Sequence, residues 1–152
     1  MKPQMLDAAG IAARVPHSGS MCLLHSVRAW SAETIECSAS SHRDPANPLC
    51  TQGRLLATSG IEYAAQAMAL HGSLNAEPGT ESGTDPTPGF LASVRGVSLH
   101  VTRLDDVAGD LRIVATRLAG DSRQALYSFS VHDQSGTLLV DGRATAILSA
   151  LP

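Results

Sequence analysis

The feature that most constrains the fold is a long, almost uncharged stretch with helical periodicity, which runs from Gln52 to His71. Glu62 is the only Asp, Glu, Lys or Arg between Leu55 and Leu70. The apolar residues recur at three- and four-residue steps, at Leu55, Leu56, Ile61, Ala64, Ala65, Met68 and Ala69. A helix that is apolar on nearly all sides is buried, and its many small residues let other backbone approach closely. The sequence therefore predicts one central, buried helix.

The single carboxylate of this helix needs a physical explanation. Desolvation makes the ionised form costly, so a buried Glu62 is expected to be paired, protonated or used in chemistry. Alternatively, Glu62 points out of an exposed edge of the helix, or a polar network in the core satisfies it. The helix alone leaves both interpretations open.

The chain before the helix is predicted to contain a short helix and two strands. Leu6–Val15 has a partial apolar stripe, and Pro16 would end a helix there. Cys22–Trp30 and Glu33–Ser41 have strand composition, and the second alternates between apolar and polar residues. His42–Thr51 contains two prolines and is predicted to be irregular up to the start of the central helix.

The chain after the helix is predicted to be a loop followed by four strands. Asn75–Gly89 is rich in Pro, Gly and acidic residues, which is typical of a surface loop. The predicted strands are Phe90–Val101, Leu111–Leu118, Ala125–Val131 and Leu138–Leu148. Short turns between them, such as Asp133-Gln134-Ser135-Gly136, favour antiparallel pairing. One apolar helix against one antiparallel sheet is an α+β layer arrangement.

Length and composition limit the possible functions. The 152 residues fit a single domain spanning residues 1–152, and a net charge of −3 without a basic run argues against binding to nucleic acid or to an anionic membrane. We expect a cytoplasmic protein, since the N-terminus lacks the apolar run of a signal peptide and no stretch is long enough to span a membrane. The three cysteines, Cys22, Cys37 and Cys50, have no metal-ligand spacing, so neither a metal nor a redox cofactor is predicted.

Two short motifs resemble a known enzyme family. Pro16-His17-x-x-x-Met21-x-Leu23-Leu24-x-x-Val27 is similar to the opening of the 3-hydroxyacyl-(acyl carrier protein) dehydratases of the FabA/FabZ kind. Gly60-Ile61-Glu62-Tyr63-Ala64-Ala65-Gln66 is similar to the central-helix motif of the same enzymes. The resemblance implies the hotdog fold, in which a curved antiparallel sheet wraps around one long central helix.

A closer resemblance is to the ApeP-like branch, a set of proteins classed as dehydratases and linked to aryl polyene biosynthesis. It is carried by His42-Arg43, Asn47-Pro48-Leu49, the central-helix motif and Gly142-Arg143-Ala144. This resemblance implies dehydration of a 3-hydroxyacyl thioester in a fatty-acid- or polyene-type pathway. The carrier would be an acyl carrier protein or coenzyme A. A homodimer or higher hotdog oligomer is implied, or a heterodimer with another hotdog subunit.

The resemblance also implies the catalytic residues. Glu62 falls on the carboxylate that acts with a histidine in those dehydratases. Their active histidine lies in a Gly-His-Phe-Pro segment, and the corresponding position here is Pro48. We therefore expect His42, which opens the loop before the helix, to be the base, with His17 as the other candidate. His25, His71, His100 and His132 are expected to face solvent or to cap local backbone.

The substrate-binding residues follow from the same alignment of motifs. Gln66 falls on the motif glutamine, one helical turn after Glu62 and on the same face. Asn47-Pro48-Leu49 also resembles the hydratase-2 (MaoC-like) loop, in which Cys50 stands at the position of a histidine. We expect substrate contacts at Gln66, Asn47, Leu49, Cys50 and Ala57. Free backbone N–H groups around Thr51 to Ala57, at the predicted start of the helix, would stabilise the thioester oxygen.

Two other functions are also compatible with the sequence. A thioesterase is supported by the same fold, and there Glu62 would activate a water molecule. A non-catalytic hotdog subunit of a heteromeric dehydratase is the other possibility, because the Gly-His-Phe-Pro segment is missing.

Overall fold

A computed structural model describes residues 6–12, 21–75, 90–121 and 123–147, which form six strands and two α-helices. In chain order these elements are α1 (Ala8–Ala12), β1 (Ser26–Trp30), β2 (Thr34–Ala39), α2 (Gly60–Leu74), β3 (Phe90–Leu99), β4 (Leu111–Gly120), β5 (Gln124–His132) and β6 (Leu138–Ile147). The predicted order of one helix, two strands, the long helix and four strands is confirmed. None of the helices in these ranges is long and apolar enough to cross a membrane.

All six strands belong to one sheet with the order β1-β2-β4-β5-β6-β3, and every neighbouring pair is antiparallel. The connection from β2 to β3 contains α2. In the strand order, β3 lies at one edge of the sheet and β1 at the other. Near the β1 edge, Leu6 pairs with Val27. The predicted α+β arrangement of one sheet and one long helix is confirmed.

The core lies between α2 and one face of the sheet. Alternate side chains of the central strands are fully buried there, as Ile113, Ala115 and Val131 illustrate. From the helix, Ala64, Ala67 and other small side chains pack against them. Small helical side chains allow a close approach, and at Gly60 an added Cβ atom would lie 3.1 Å from Val140 Cγ2. The alternation in the strands therefore identified the buried face of the sheet. In the helix the predicted stripe is only partly right, because Ala64 and Met68 are buried while Leu56 is 45% exposed.

The long helix begins later than the sequence predicted. Residues 51–54 form a tight turn, in which Thr51 N donates to Arg54 O over 2.7 Å and Arg54 N donates to Thr51 O over 2.9 Å. Gln52 and Gly53 have φ values of 51° and 75° in this turn, which an α-helix cannot accommodate. A 3₁₀ turn at Ala57–Ser59 then leads into α2 at Gly60. The predicted helical start at Gln52 is wrong because the left-handed turn was not recognised in the sequence.

The first strand is also shorter than predicted, since β1 begins at Ser26 rather than Cys22. Between Met21 and Leu23, backbone groups bond to side chains of other segments instead of to a neighbouring strand. The predicted helix at Leu6–Val15 is seen as Ala8–Ala12, and residues 13–15 lie outside the described residues. Nearly all of the predicted loop Asn75–Gly89 also lies outside them.

Gly142 marks a place where β6 has no room for a side chain. A Cβ atom there would lie 3.0 Å from Phe129 Cζ and 3.0 Å from Val97 Cγ2. Phe129 is 3% exposed and faces Gly142 across the β5–β6 pair. The absent side chain therefore lets the Phe129 ring lie over the β6 backbone.

We predict that Gly142→Val lowers the free energy of unfolding by about 1–3 kcal/mol, because the new side chain must displace the Phe129 ring. Urea denaturation followed by circular dichroism measures this change. Thr145→Val on the same strand, where the side chain is only half-buried, is the matched control. Equal unfolding free energies for the two variants would contradict the packing described here.

Candidate active site

Glu62 lies in the first turn of α2 and is half-buried. Gln66, one turn later, donates from Nε2 to Glu62 Oε1 over 3.3 Å. The N-terminal end of a helix carries partial positive charge, which stabilises a carboxylate placed there. The carboxyl group is thus held at a helix end by a neighbour on the same face.

Gln66 is fully buried, and it connects α2 to the segment before β1. Its Oε1 accepts from Leu23 N over 2.9 Å, and its Nε2 donates to Met21 O over 2.7 Å. The same side chain therefore fixes both Glu62 and the backbone that follows the predicted Pro16-His17 motif. Gln66 was predicted to bind substrate. In the structure its side chain holds Glu62 and the backbone of Met21 and Leu23 in position.

Asn47 belongs to a polar network around the hydroxyl group of Tyr63 on α2. Ser41 Oγ donates to Leu23 O over 2.7 Å and therefore accepts from Tyr63 Oη, also at 2.7 Å. Asn47 Nδ2 donates to Tyr63 Oη over 3.1 Å and to Ser41 O over 2.9 Å, and Asn47 Oδ1 accepts from Leu49 N over 2.8 Å. Both amide hydrogens of Asn47 are thus used to hold the loop before the helix.

The other predicted substrate-contacting residues lie on the same side of the helix start. Leu49 and Cys50 are half-buried and pack against the core, and Cys50 Sγ lies 4.0 Å from Asp44 O. Ala57 is 1% exposed. The loop and the beginning of α2 therefore bring these residues into one region, and their contact with substrate stays a prediction.

The prediction of free backbone donors between Thr51 and Ala57 is wrong for four of these amides. Thr51 N and Arg54 N bond to each other's carbonyl groups within the turn, and two further amides bond to another segment. Leu55 N donates to Asp105 Oδ1 over 3.0 Å, and Ala57 N donates to Thr102 O over 3.0 Å. Both partners lie in the segment between β3 and β4, which returns alongside the turn before α2. Because tertiary contacts use these amides, they cannot serve as the oxyanion donors that a helix start at this position would have provided.

His42 is fully buried in a 3₁₀ turn that follows β2. Its Nε2 lies 3.1 Å from Val107 O, and a carbonyl can only accept, so Nε2 carries the proton. Nδ1 is buried and has no hydrogen-bond partner in the part of the chain that the structure describes. Burial lowers the pKa of His42, against a smaller upward effect of the Val107 carbonyl. His42 is therefore a neutral imidazole with an unprotonated nitrogen, as a general base requires.

The structure joins His42 to Val107 rather than to Glu62. His17 lies outside the described residues. The pairing of Glu62 with either histidine thus stays a prediction. In the described ranges, no group of three or more His, Cys, Asp or Glu side chains could hold a metal ion.

His71 was predicted to face solvent or to cap local backbone, and this prediction is wrong, because the residue is 1% exposed and its backbone partner, Ser31, is 40 positions away. Its Nε2 donates to Ser31 O over 2.9 Å, so its Nδ1 accepts from Tyr127 Oη over 2.7 Å. Burial lowers the pKa of His71 and raises that of Tyr127 to about 12. The signal was present in the sequence, since His71 follows Ala67 and Met68 at steps of four and three residues and so shares their apolar face.

We predict that Gln66→Leu lowers the free energy of unfolding by about 2 kcal/mol or more. The substitution leaves the buried Leu23 N without its partner and removes the bond to the half-buried Met21 O, and an unsatisfied buried group costs about 1–3 kcal/mol. Urea denaturation is the measurement, and Gln124→Leu, at an exposed position that begins β5, is the control. If both variants are as stable as the parent protein, Gln66 does not hold the two segments together.

A second prediction concerns the dependence of the free energy of unfolding on pH. His42 and His71 have lowered pKa values in the folded state. Below the unfolded-state histidine pKa of about 6.5, the unfolded chain therefore binds more protons than the folded chain. The stabilising contribution is complete above about pH 6.5 and is lost as the pH falls below that value towards the folded-state pKa. The free energy of unfolding should therefore be lower at about pH 5.5 than at about pH 7.5.

The contribution of His71 to this pH dependence can be measured with the double variant His71→Met/Tyr127→Phe. It replaces both partners with apolar groups, and Asn75 Nδ2 still donates to Ser31 O over 3.2 Å. The difference in unfolding free energy between the two pH values should shrink in this variant. An unchanged difference would show that His71 does not titrate on unfolding.

Comparison with known proteins places this geometry in context. A family model, ApeP-like and described as ApeP dehydratase, matches residues 9–149. The search of curated proteins gave no match. Among solved structures, the dehydratase heterocomplex ApeI:P from Xenorhabdus doucetiae has 25% sequence identity and a TM-score of 0.79, and the match covers 92% of this chain and 91% of that one.

Two thioesterases show similarity of fold alone. A thioesterase from Haemophilus influenzae has 15% identity and a TM-score of 0.65, with 95% of this chain and 92% of that chain covered. Zebrafish thioesterase superfamily member 2 has 15% identity and a TM-score of 0.62, with 95% and 99% covered. The hotdog fold implied by the sequence motifs is confirmed.

Proposed function

The chain belongs to the ApeP-like dehydratase family, and on that premise we propose that it dehydrates a 3-hydroxyacyl thioester to the 2-enoyl product. The observation that carries this proposal is the position of Glu62, the only carboxylate on α2. It stands in the first helical turn and is fixed by Gln66. We infer an acyl carrier protein or coenzyme A as the carrier of the acyl chain, in a fatty-acid- or polyene-type pathway.

The reaction needs a base for the C2 proton and an acid for the C3 hydroxyl group, and one imidazole with one carboxyl group can divide these two transfers. In this proposal a histidine takes the C2 proton, and Glu62 protonates the departing hydroxyl group. His42 is the candidate base supported by its geometry, because Nε2–H is bound to Val107 O and Nδ1 keeps its lone pair. His17 is the second candidate.

We further propose that a second hotdog subunit completes the site. The edge strand β3 pairs only with β6 among the described strands, and its Leu91, Val94 and Val97 are only partly buried. Leu99 at the end of β3 is 46% exposed, and Leu56 before α2 is 45% exposed. Unpaired edge strands with apolar side chains are typical places for another chain to pair.

A heteromeric dehydratase is the second candidate function, in which the partner supplies the histidine. One observation favours it directly, namely that His42 is fully buried and bound to Val107 instead of lying against Glu62. The similar structure ApeI:P is described as a heterocomplex. In this version Glu62 belongs to a composite site, and the isolated chain is inactive.

We predict that Glu62→Gln and His42→Ala each lower the rate of enoyl formation by roughly 10²–10⁴-fold, which is the typical contribution of one acid or base. Mass spectrometry of a carrier-bound 3-hydroxyacyl chain detects the loss of one water molecule. Release of free acid and thiol would instead indicate a thioesterase. Glu33→Gln, at an exposed position before β2, is the matched control and should keep full activity.

The assay is run with the isolated chain and with an added hotdog companion subunit. Activity that appears only with the companion and survives His42→Ala identifies the heteromeric arrangement. Full activity of Glu62→Gln under both conditions would refute the proposed role of the carboxylate.

A further inference from the structure

The face of the sheet that points away from α2 carries a groove with a volume of about 690 Å³. Arg95, Arg143, Ser128 and Thr116 line it, together with residues nearer the β5–β6 turn. These side chains play no part in the proposed dehydration, because the sheet separates them from α2 and Glu62. The groove is therefore a separate place at which a ligand could bind.

The strand register arranges four of these side chains in one row across the sheet. Thr116 is the partner of Ser128, Ser128 is the partner of Arg143, and Arg143 is the partner of Arg95. Direct partners point to the same face of an antiparallel sheet, with their Cβ atoms about 4.5–5.5 Å apart. The row therefore presents two hydroxyl groups followed by two guanidinium groups over four adjacent strands.

The two arginines are an unfavourable pair in the absence of a counter-charge. Like charges directly opposite each other destabilise a sheet. Neither Arg95 nor Arg143 forms an ion pair or a side-chain hydrogen bond with any residue in the described ranges. Asp141, the acidic side chain in the same groove, lies 3.8 Å from His100 Nε2 instead. The row thus holds two positive charges that no ion pair within the described ranges neutralises.

We propose that this row is a binding site for a phosphate group, either as free phosphate or as a phosphate ester. A phosphate carries up to two negative charges and several acceptor oxygens, which match two guanidinium groups and two hydroxyl groups. Arginine binds phosphate through two parallel N–H···O bonds, and serine and threonine hydroxyls donate to the remaining oxygens. A single carboxylate, with one charge and two oxygens, would leave one arginine unneutralised.

The next two residues of β5 on the same face, Ser130 and His132, have a different character. Ser130 Oγ lies 2.9 Å from His132 Nε2, and His132 Nδ1 lies 3.4 Å from Gly136 O. The two side chains therefore bond to each other, and His132 also bonds to the turn after β5. The ligand is therefore assigned to the row of arginines and hydroxyls rather than to this serine–histidine pair.

Isothermal titration calorimetry at constant ionic strength tests the site on the full chain with three probes: inorganic phosphate, adenosine monophosphate and adenosine. At least one of the two phosphate-bearing probes should bind, whereas adenosine, which has no phosphate group, should not. Binding of inorganic phosphate identifies a free-phosphate site, and binding of adenosine monophosphate alone identifies an ester site. Because dehydration is not measured, the outcome is independent of the proposed function.

Arg95→Gln/Arg143→Gln should weaken binding by at least about tenfold, since charge-assisted hydrogen bonds are lost. The matched control Arg28→Gln/Arg54→Gln changes the net charge equally at two other exposed positions and should bind like the parent protein. Without ligand, the first double variant should have a melting temperature at least as high as the parent, because the like-charge pair is removed.

Three results would overturn the proposal. In the first, neither phosphate probe binds. In the second, the two double variants weaken binding equally. In the third, the Arg95/Arg143 variant binds like the parent protein. Binding of an acidic carrier protein lacking its phosphate-bearing arm, without binding of either phosphate probe, would assign the row to a protein partner instead.

Discussion

The structure depends on satisfying the polar side chains of a helix that is otherwise buried among apolar groups. Tyr63, Gln66 and His71 on α2 are each 1% exposed or less, and each bonds to a different segment of the chain. Tyr63 reaches the turn and loop after β2, Gln66 reaches the backbone before β1, and His71 reaches Ser31 and Tyr127. A buried polar group without a partner costs about 1–3 kcal/mol, so separating these segments from the helix would be energetically unfavourable.

The same bonds determine the geometry of the candidate site. The Nε2 group of Gln66 holds both Glu62 and Met21 O, so the carboxylate is oriented by a side chain that also anchors the fold. On the other side of the helix start, Asn47 fixes the loop that contains Leu49. Gln66 and Asn47, whose contact with substrate stays a prediction, therefore hold the carboxylate and the loop of the candidate site in place. This arrangement is suited to catalysis because acid–base groups must be held within hydrogen-bond reach of the reacting atoms.

Much of the fold could be predicted from periodicity. The alternation in β4, β5 and β6 correctly separated the buried face from the exposed one, and the apolar stripe correctly identified α2 as the central element. The start of α2 could not be predicted in this way, because apolar residues Leu55 and Leu56 continue the pattern through a turn with left-handed backbone at Gln52. His71 was misplaced for a related reason, since a polar residue on an apolar face can be buried once Tyr127 and Ser31 provide partners.

The sequence by itself determined the layer arrangement, the central helix, the family motifs and the presence of one carboxylate on that helix. These are local properties, and they follow from which side chains recur at a fixed step along the chain. Only the tertiary structure decided which backbone groups those side chains bond, as with Leu23 and Gln66, which are separated by 43 positions. It also decided that Arg143 and Arg95 face each other, because strand register depends on pairing between segments that are distant along the chain.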